Sequence, residues 1–203
     1  MHPKSPEPYP SSGMHACPQC GLFLSNTPKS QVVLTDGACS DNGQHNAAAG
    51  CGVAMGEKQS HHLALPFGGM EPTKTNQRAE LLAAYAGIVE VAQHYLKDGE
   101  RAKGHSHDVN RLVVGTDSSY VVRGMKEWLP VWKQNGLKTS SGTTPANLDL
   151  FLRIDRQIEK MTDGNFSVDF RQVPREQNGI ADRLAKSAAE MDRKMDRIMR
   201  SSN

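Results

Sequence analysis

The stretch Val32-Val33-Leu34-Thr35-Asp36-Gly37 constrains this chain most: an apolar run of strand-forming residues stops at a carboxylate that glycine follows at once. β-Branched residues favour a buried strand, and glycine lets the backbone turn sharply where a strand leaves its sheet. Asp36 is therefore expected at a rigid strand end. Leu112-Val113-Val114-Gly115-Thr116-Asp117-Ser118 repeats the pattern, a β run ending in Thr-Asp-small. Two carboxylates at the ends of neighbouring strands repel each other unless a cation lies between them. Function is expected at those two ends.

With 203 residues, the chain suits one domain with modest extensions. The composition divides it into an irregular, Pro/Ser/Gly/His-rich leader (1–30), an α/β domain (31–190) and a charged helical tail that frays beyond Met191 (191–203). Twenty-four Lys and Arg against 22 Asp and Glu leave a net charge of +2, so any basic surface must be local. No apolar run approaches membrane-spanning length, and the first thirty residues lack the apolar core of a secretory signal. The expectation is a monomeric intracellular protein without a membrane partner, with cytoplasm and nucleus both open. Cys17-Pro18-Gln19-Cys20-Gly21 has the spacing of half a zinc knuckle; His15 is a candidate third ligand, but no second Cys-x-x-Cys pair follows. Zinc binding by Cys17 and Cys20 and a plain or redox-sensitive pair both stay open. Cys39 and Cys51 read as small reduced core or loop residues.

After the first strand, an Asn/Ser/Gly-rich loop (38–49) leads to β segments at 50–55 and 61–65, a hairpin pattern that makes three consecutive antiparallel strands. Thr75 is a plausible N-cap for an Ala/Leu-rich helix on which Glu80 shares a stripe with Ala84, Ile88 and Val91. Residues 97–110 read as a polar connection whose His105-Ser106-His107 is a solvated loop rather than a metal site. Ser118 should cap a short helix ended by Gly124, and both tryptophans, Trp128 and Trp132, lie four residues apart among lysines. Another helix (148–161), a strand (166–173) and a last helix from near Asn178, with Asp182 in its first turn, complete the pattern.

Asp36, Glu80, Asp117 and Asp182 thus come from two strand ends and two helix N-terminal regions. If they converge, hard oxygen ligands select Mg²⁺, with Mn²⁺ as substitute, over zinc. Two such ions about 4 Å apart clamp a phosphodiester. Each acid alone reads as a cap or surface charge; four in these contexts point to phosphoryl-transfer chemistry.

Thr35-Asp36-Gly37-Ala38-Cys39-Ser40, Thr75-Asn76-Gln77-Arg78-Ala79-Glu80-Leu81, Thr116-Asp117-Ser118 and Asn178-Gly179-Ile180-Ala181-Asp182-Arg183-Leu184-Ala185 resemble, in order, the signature blocks of type 1 ribonuclease H over about residues 31–190. The resemblance implies a three-layer α/β/α fold around a mixed five-stranded sheet, three strands antiparallel and two parallel. It also implies Mg²⁺-dependent endonucleolytic hydrolysis of the RNA strand of an RNA–DNA hybrid, leaving 5′-phosphate and 3′-hydroxyl ends. By the same resemblance the four acids are the catalytic metal ligands, and Asn42, Asn76 and Gln77 sit where amides read the 2′-hydroxyls of the minor groove. Trp128, Trp132, Lys133 and Thr139 or Ser140, with Lys126 and Lys138, resemble the basic protrusion that grips the DNA strand. Asn147 and Thr75 match the DNA-phosphate pocket, whose usual arginine is Thr73 here, next to Lys74.

The chain departs from the pattern before its last block. Val173-Pro174-Arg175-Glu176-Gln177-Asn178 replaces a longer histidine-bearing loop, and no histidine follows His107. Arg175 or Glu176 is expected to take over part of that histidine's role, and a nucleic-acid-binding protein of the same fold with little turnover stays open as the alternative.

Overall fold

The structure, a computed structural model, describes residues 13–26, 29–68, 73–93 and 109–201; His105 and His107 lie outside them. Its centre is β3 (Lys29–Ser40), the strand that carries Asp36. β4 (Ala48–Ala54) pairs antiparallel with the second half of β3, and β5 (His62–Pro66) pairs antiparallel with β4. On the other edge of β3, β6 (Arg111–Thr116) runs parallel, followed by parallel β7 (Ser167–Gln172). This is the expected five-stranded mixed sheet.

Strand alternation divides the core in two. Val33, Val53, Leu112 and Val114 point to one face, where α1 (Asn76–Ala92) and α4 (Leu148–Asp163) bury Leu81, Ile88, Phe151 and Ile154 against them. Val32, Leu34, Ala54 and Val113 point to the other, covered by Ala181 of α5 (Gly179–Ser201). The three layers α/β/α follow. Thr75 caps α1 as expected, its hydroxyl accepting from the N–H of Arg78 at 3.3 Å.

Three expectations change. Within the leader, β1 (Met14–Ala16) and β2 (Phe23–Asn26) form a hairpin, and β2 pairs with the start of β3, so the sheet has seven strands among the described residues. Phe23, only 6% exposed, seals the α5-side core with Val32 and Leu34, which gives this short segment the burial that its polar flanks hide. Gly124 does not end a helix: α2 (Ser119–Arg123) continues through a wider π-type turn at Gly124–Trp128 into α3 (Leu129–Gln134). A Cβ at Gly124 would lie 2.3 Å from the Phe151 ring, so the glycine is there for packing. Nor does α5 fray at Met191. It runs on to Ser201, and Asp192 is fully buried, accepting from the N–H groups of Ala49 (2.8 Å) and Gly68 (2.7 Å) and from the Lys74 ammonium (2.7 Å). No helix among the described residues is long and apolar enough to cross a membrane.

Candidate active site

Two glycines bring the acids together. Asp36 is paired in register with Gly52 of β4, and both face α5. A Cβ at Gly52 would lie 2.1 Å from the Ala181 carbonyl oxygen, so only glycine lets α5 come close enough to set Asp182 beside Asp36. On the opposite face, a Cβ at Gly37 would stand 2.2 Å from the backbone of Ala79 and Glu80; its absence lets α1 carry Glu80 up to the end of β3. Asp117 follows β6, whose parallel register (Leu34 opposite Gly115) sets it level with Asp36. All four acids line one cavity of about 680 Å³, together with Asn76, Ser118, Arg175, Lys186 and Arg193.

The electrostatics are those of crowded anions. Burial first, then the neighbouring Asp117 carboxylate, pushes the Asp36 carboxyl from an ordinary 3.8 up to about 7; Asp182 and Glu80 add to this, and the N–H of Gly37 opposes it. Glu80 is raised as well, by burial and then Asp117, while a hydrogen bond from the Ser118 hydroxyl pulls the other way. Asp182 has cations at hand: Lys186 at 2.8 Å and Arg175 at 3.9 Å.

Two residues that hold the acids are legible in sequence only as a helix cap, Ser118, and as the first residue of a signature block, Asn178. Ser118 caps α2 and donates to Glu80; Asn178, 1% exposed, donates from Nδ2 to Asp117 Oδ1 (3.0 Å) and to the Thr35 carbonyl (3.1 Å). Ser118 follows Asp117 directly, which is a local signal, whereas Asn178 stands four residues before Asp182 and holds an acid 61 residues away. Losing a residue that orients a ligand lowers metal affinity or activity by about 10–100-fold. Ser118→Ala and Asn178→Ala are each expected to weaken by that factor the divalent-metal binding expected of the acids, in a Mg²⁺ titration, with the fold intact by circular dichroism.

A family model described as RNase H matches residues 28–190. The chain belongs to the RNase H family. It is 35% identical over 162 residues to Ribonuclease H1 of Homo sapiens, covering 78% of this chain and 49% of that protein. To Ribonuclease H of Pseudomonas paraeruginosa it is 38% identical over 135 residues, or 66% of this chain and 77% of that protein. The chain thus spans about half the length of the human relative. Among solved structures, LC11-RNase H1 in complex with RNA/DNA hybrid superposes with a TM-score of 0.52, covering 79% of this chain and 96% of that one; at 20% identity it speaks for the fold alone.

The RNase H family is metal-dependent. No group of three or more His, Cys, Asp or Glu side chains among the described residues is set as it stands to hold an ion. The donor chemistry nevertheless fits a hard cation: five carboxylates, those of Asp36, Glu80, Asp117, Asp182 and Glu190, line one cavity, and Asp36 is driven toward protonation by burial first and then by its neighbours. The Cys17/Cys20 pair differs. The Cys17 thiol donates to Gln19 Oε1 at 3.0 Å, His15 is exposed on β1, and no tetrahedral zinc set is assembled among the described residues.

The residues expected from sequence to meet a substrate fall into two groups. Asn42 accepts from the Asn76 N–H at 2.8 Å, and Asn147 donates to Tyr120 Oη (3.0 Å) and Gln77 Oε1 (3.5 Å), so Asn42, Thr75, Asn76, Gln77 and Asn147 gather where α1 and α4 begin. Lys74 does not join them: its ammonium is held by Asp192 and Asp196. Trp128 and Trp132 are half-buried in an aromatic cluster with Tyr120 and Phe151, so they serve packing whatever else they touch. Lys133 pairs with Asp155 (2.7 Å) and Lys126 with Asp169 (3.0 Å), which tempers the protrusion's charge. The Thr139 hydroxyl is shared with Ser141 and Thr143, and Ser140 is exposed. Of Arg175 and Glu176, only Arg175 lines the carboxylate cavity.

Proposed function

We propose that this chain hydrolyses the RNA strand of RNA–DNA hybrids internally, with Asp36, Glu80, Asp117 and Asp182 holding a pair of Mg²⁺ ions, or Mn²⁺ in their place. One observation carries the reading: acids from two strand ends and two helices line a single open cavity, beside amides at the start of α1. When bound, such ions activate water and stabilise charge on the leaving oxygen. The chain's residues do the rest. Asn178 and Ser118 fix the Asp117 and Glu80 carboxylates, while Arg175, 78% exposed yet at the cavity rim, offers a guanidinium to the scissile phosphate where the family's loop histidine is missing. Asn42, Asn76 and Gln77 recognise 2′-hydroxyls, and Thr75 and Asn147 meet the DNA backbone. Trp128, Trp132, Lys133, Thr139 and Ser140 support the DNA strand further along. In the reaction the water oxygen bonds to phosphorus, the P–O3′ bond breaks and O3′ takes a proton, giving a 5′-phosphate and a 3′-hydroxyl.

The test is a panel of labelled hybrid, double-stranded RNA and single-stranded RNA, each with Mg²⁺, Mn²⁺ or a chelator. Cleavage of the hybrid with either metal, and loss of it with chelator, is expected. Equal cleavage of all three substrates, or none of the hybrid under either metal, overturns the proposal.

A further inference from the structure

We infer that the second half of α5 is an additional nucleic-acid contact, a ridge of Arg193, Arg197 and Arg200 that takes the phosphodiester backbone of the duplex beyond the cleaved bond. The inference rests on the hybrid reading above and extends its substrate surface. Positions 182, 186, 193, 197 and 200 recur at helical spacing, so the three arginines stand on the same face of α5 as Asp182. The contacts agree. Lys186 and Arg193 line the carboxylate cavity with Asp182, and Arg193 is also a wall of an adjoining hollow lined by Asn46, Asp196, Arg197 and Arg200.

The ridge has cationic charge to spare although the chain is nearly neutral. Asp192 and Asp196, the acids interspersed along it, share Lys74, whose single charge offsets one of them and leaves one against the three arginines. Arg193 is half satisfied, donating to Asp41 (2.8 Å) and the Ser40 hydroxyl (2.5 Å). Arg197 and Arg200 are exposed, and no carboxylate among the described residues pairs with either. Guanidinium groups so placed suit phosphates, and each phosphate neutralised releases counterions.

Geometry supplies direction. The loop between β3 and β4 carries Asn42, beside Asn76, and Asn46, a wall of the hollow, so amides and ridge share one side of the molecule. Asp192 bolts α5 to β4 and to the start of α1, so the ridge keeps a fixed angle to the acids. From Asp182 to Arg200 the helix advances about 27 Å, room for about eight base-pair steps.

The test uses the full chain carrying Asp36→Asn, so that hybrid is bound and not cut, with labelled hybrids of roughly 8 and 20 base pairs across a salt series. The parent should bind the long hybrid tighter than the short one. Arg197→Gln/Arg200→Gln should bring the two affinities together and reduce the slope of log K against log salt on the long hybrid by about two. Lysine at both positions should restore most of the slope, whereas Arg156→Gln, at an exposed position of α4, should change nothing. A slope and length preference unaltered in the double variant overturn the ridge while leaving the cleavage reading standing. If the parent binds neither hybrid, the substrate reading fails first and the ridge with it.

Discussion

Asp36→Asn is expected to reduce hybrid cleavage at least about 10²–10³-fold, and at the same time to stabilise the metal-free protein. Both effects have one cause. Asp36 is the acid most burdened by its surroundings, half-buried and facing Asp117, Asp182 and Glu80, so its charge is useful only when cations are present to share it. The sign of the pH dependence follows from the raised value. The unfolded chain releases this proton near 3.8 and the folded one near 7, so metal-free stability falls as pH rises between those values and is lowest above them. With a discount for partial exposure, the asparagine variant should gain about 2 kcal/mol at pH 8 without metal, and nothing at pH 3.5. Urea unfolding at the two pH values, beside a cleavage assay, measures both. A variant that loses activity and stability together would mean that Asp36 is a structural acid.

The largest loss of stability is expected at Asp192, a residue that does not itself line the carboxylate cavity. Asp192→Ala should cost about 3–5 kcal/mol, a large share of the roughly 5–15 kcal/mol that holds a domain folded. Its carboxylate is fully buried and takes three donors: the N–H of Ala49 on β4, the N–H of Gly68 after β5 and the ammonium of Lys74 before α1. Alanine leaves all three unsatisfied and strands the Lys74 charge with Asp196 alone, at 3.0 Å. Lys74→Met paired with Asp192→Ala should recover part of the loss, because the unpaired charge goes with it. Denaturant midpoints for the two single variants and the double variant give the coupling. A single-variant loss under about 1 kcal/mol would show the pair to be no stronger than a surface ion pair.

The two kinds of residue behind these expectations were not equally legible. Asp36 and Asp117 stood out because each ends an apolar run and precedes a small residue, a local signal. Glu80 and Asp182 needed helix faces as well. Gly37 could be read only as a turn former and Gly52 only as part of a β segment, since their work is to admit α1 and α5, and nothing in their neighbourhood along the chain names those helices. Asp192 looks like any solvent-facing acid on a charged helix; its partners lie 143, 124 and 118 residues away. The β1–β2 hairpin was hidden for a related reason. Strands of three and four residues carry too little periodicity to outweigh Pro and Ser around them, and the burial of Phe23 against Val32 and Leu34 comes from the fold. Lys74 shows the same limit from the other side. Its neighbourhood suggested phosphate binding, and two acids on α5 claim its charge instead.

The chemistry of the RNA ends made on an internally labelled hybrid with Mg²⁺ tests most directly whether the carboxylate cavity directs water at the backbone. Fragments bearing 5′-phosphate and 3′-hydroxyl groups, absent with the Asp36→Asn protein, are the expected result. Fragments ending in 2′,3′-cyclic phosphate, which form by attack of the RNA's own 2′-hydroxyl, or an uncut strand, would contradict it.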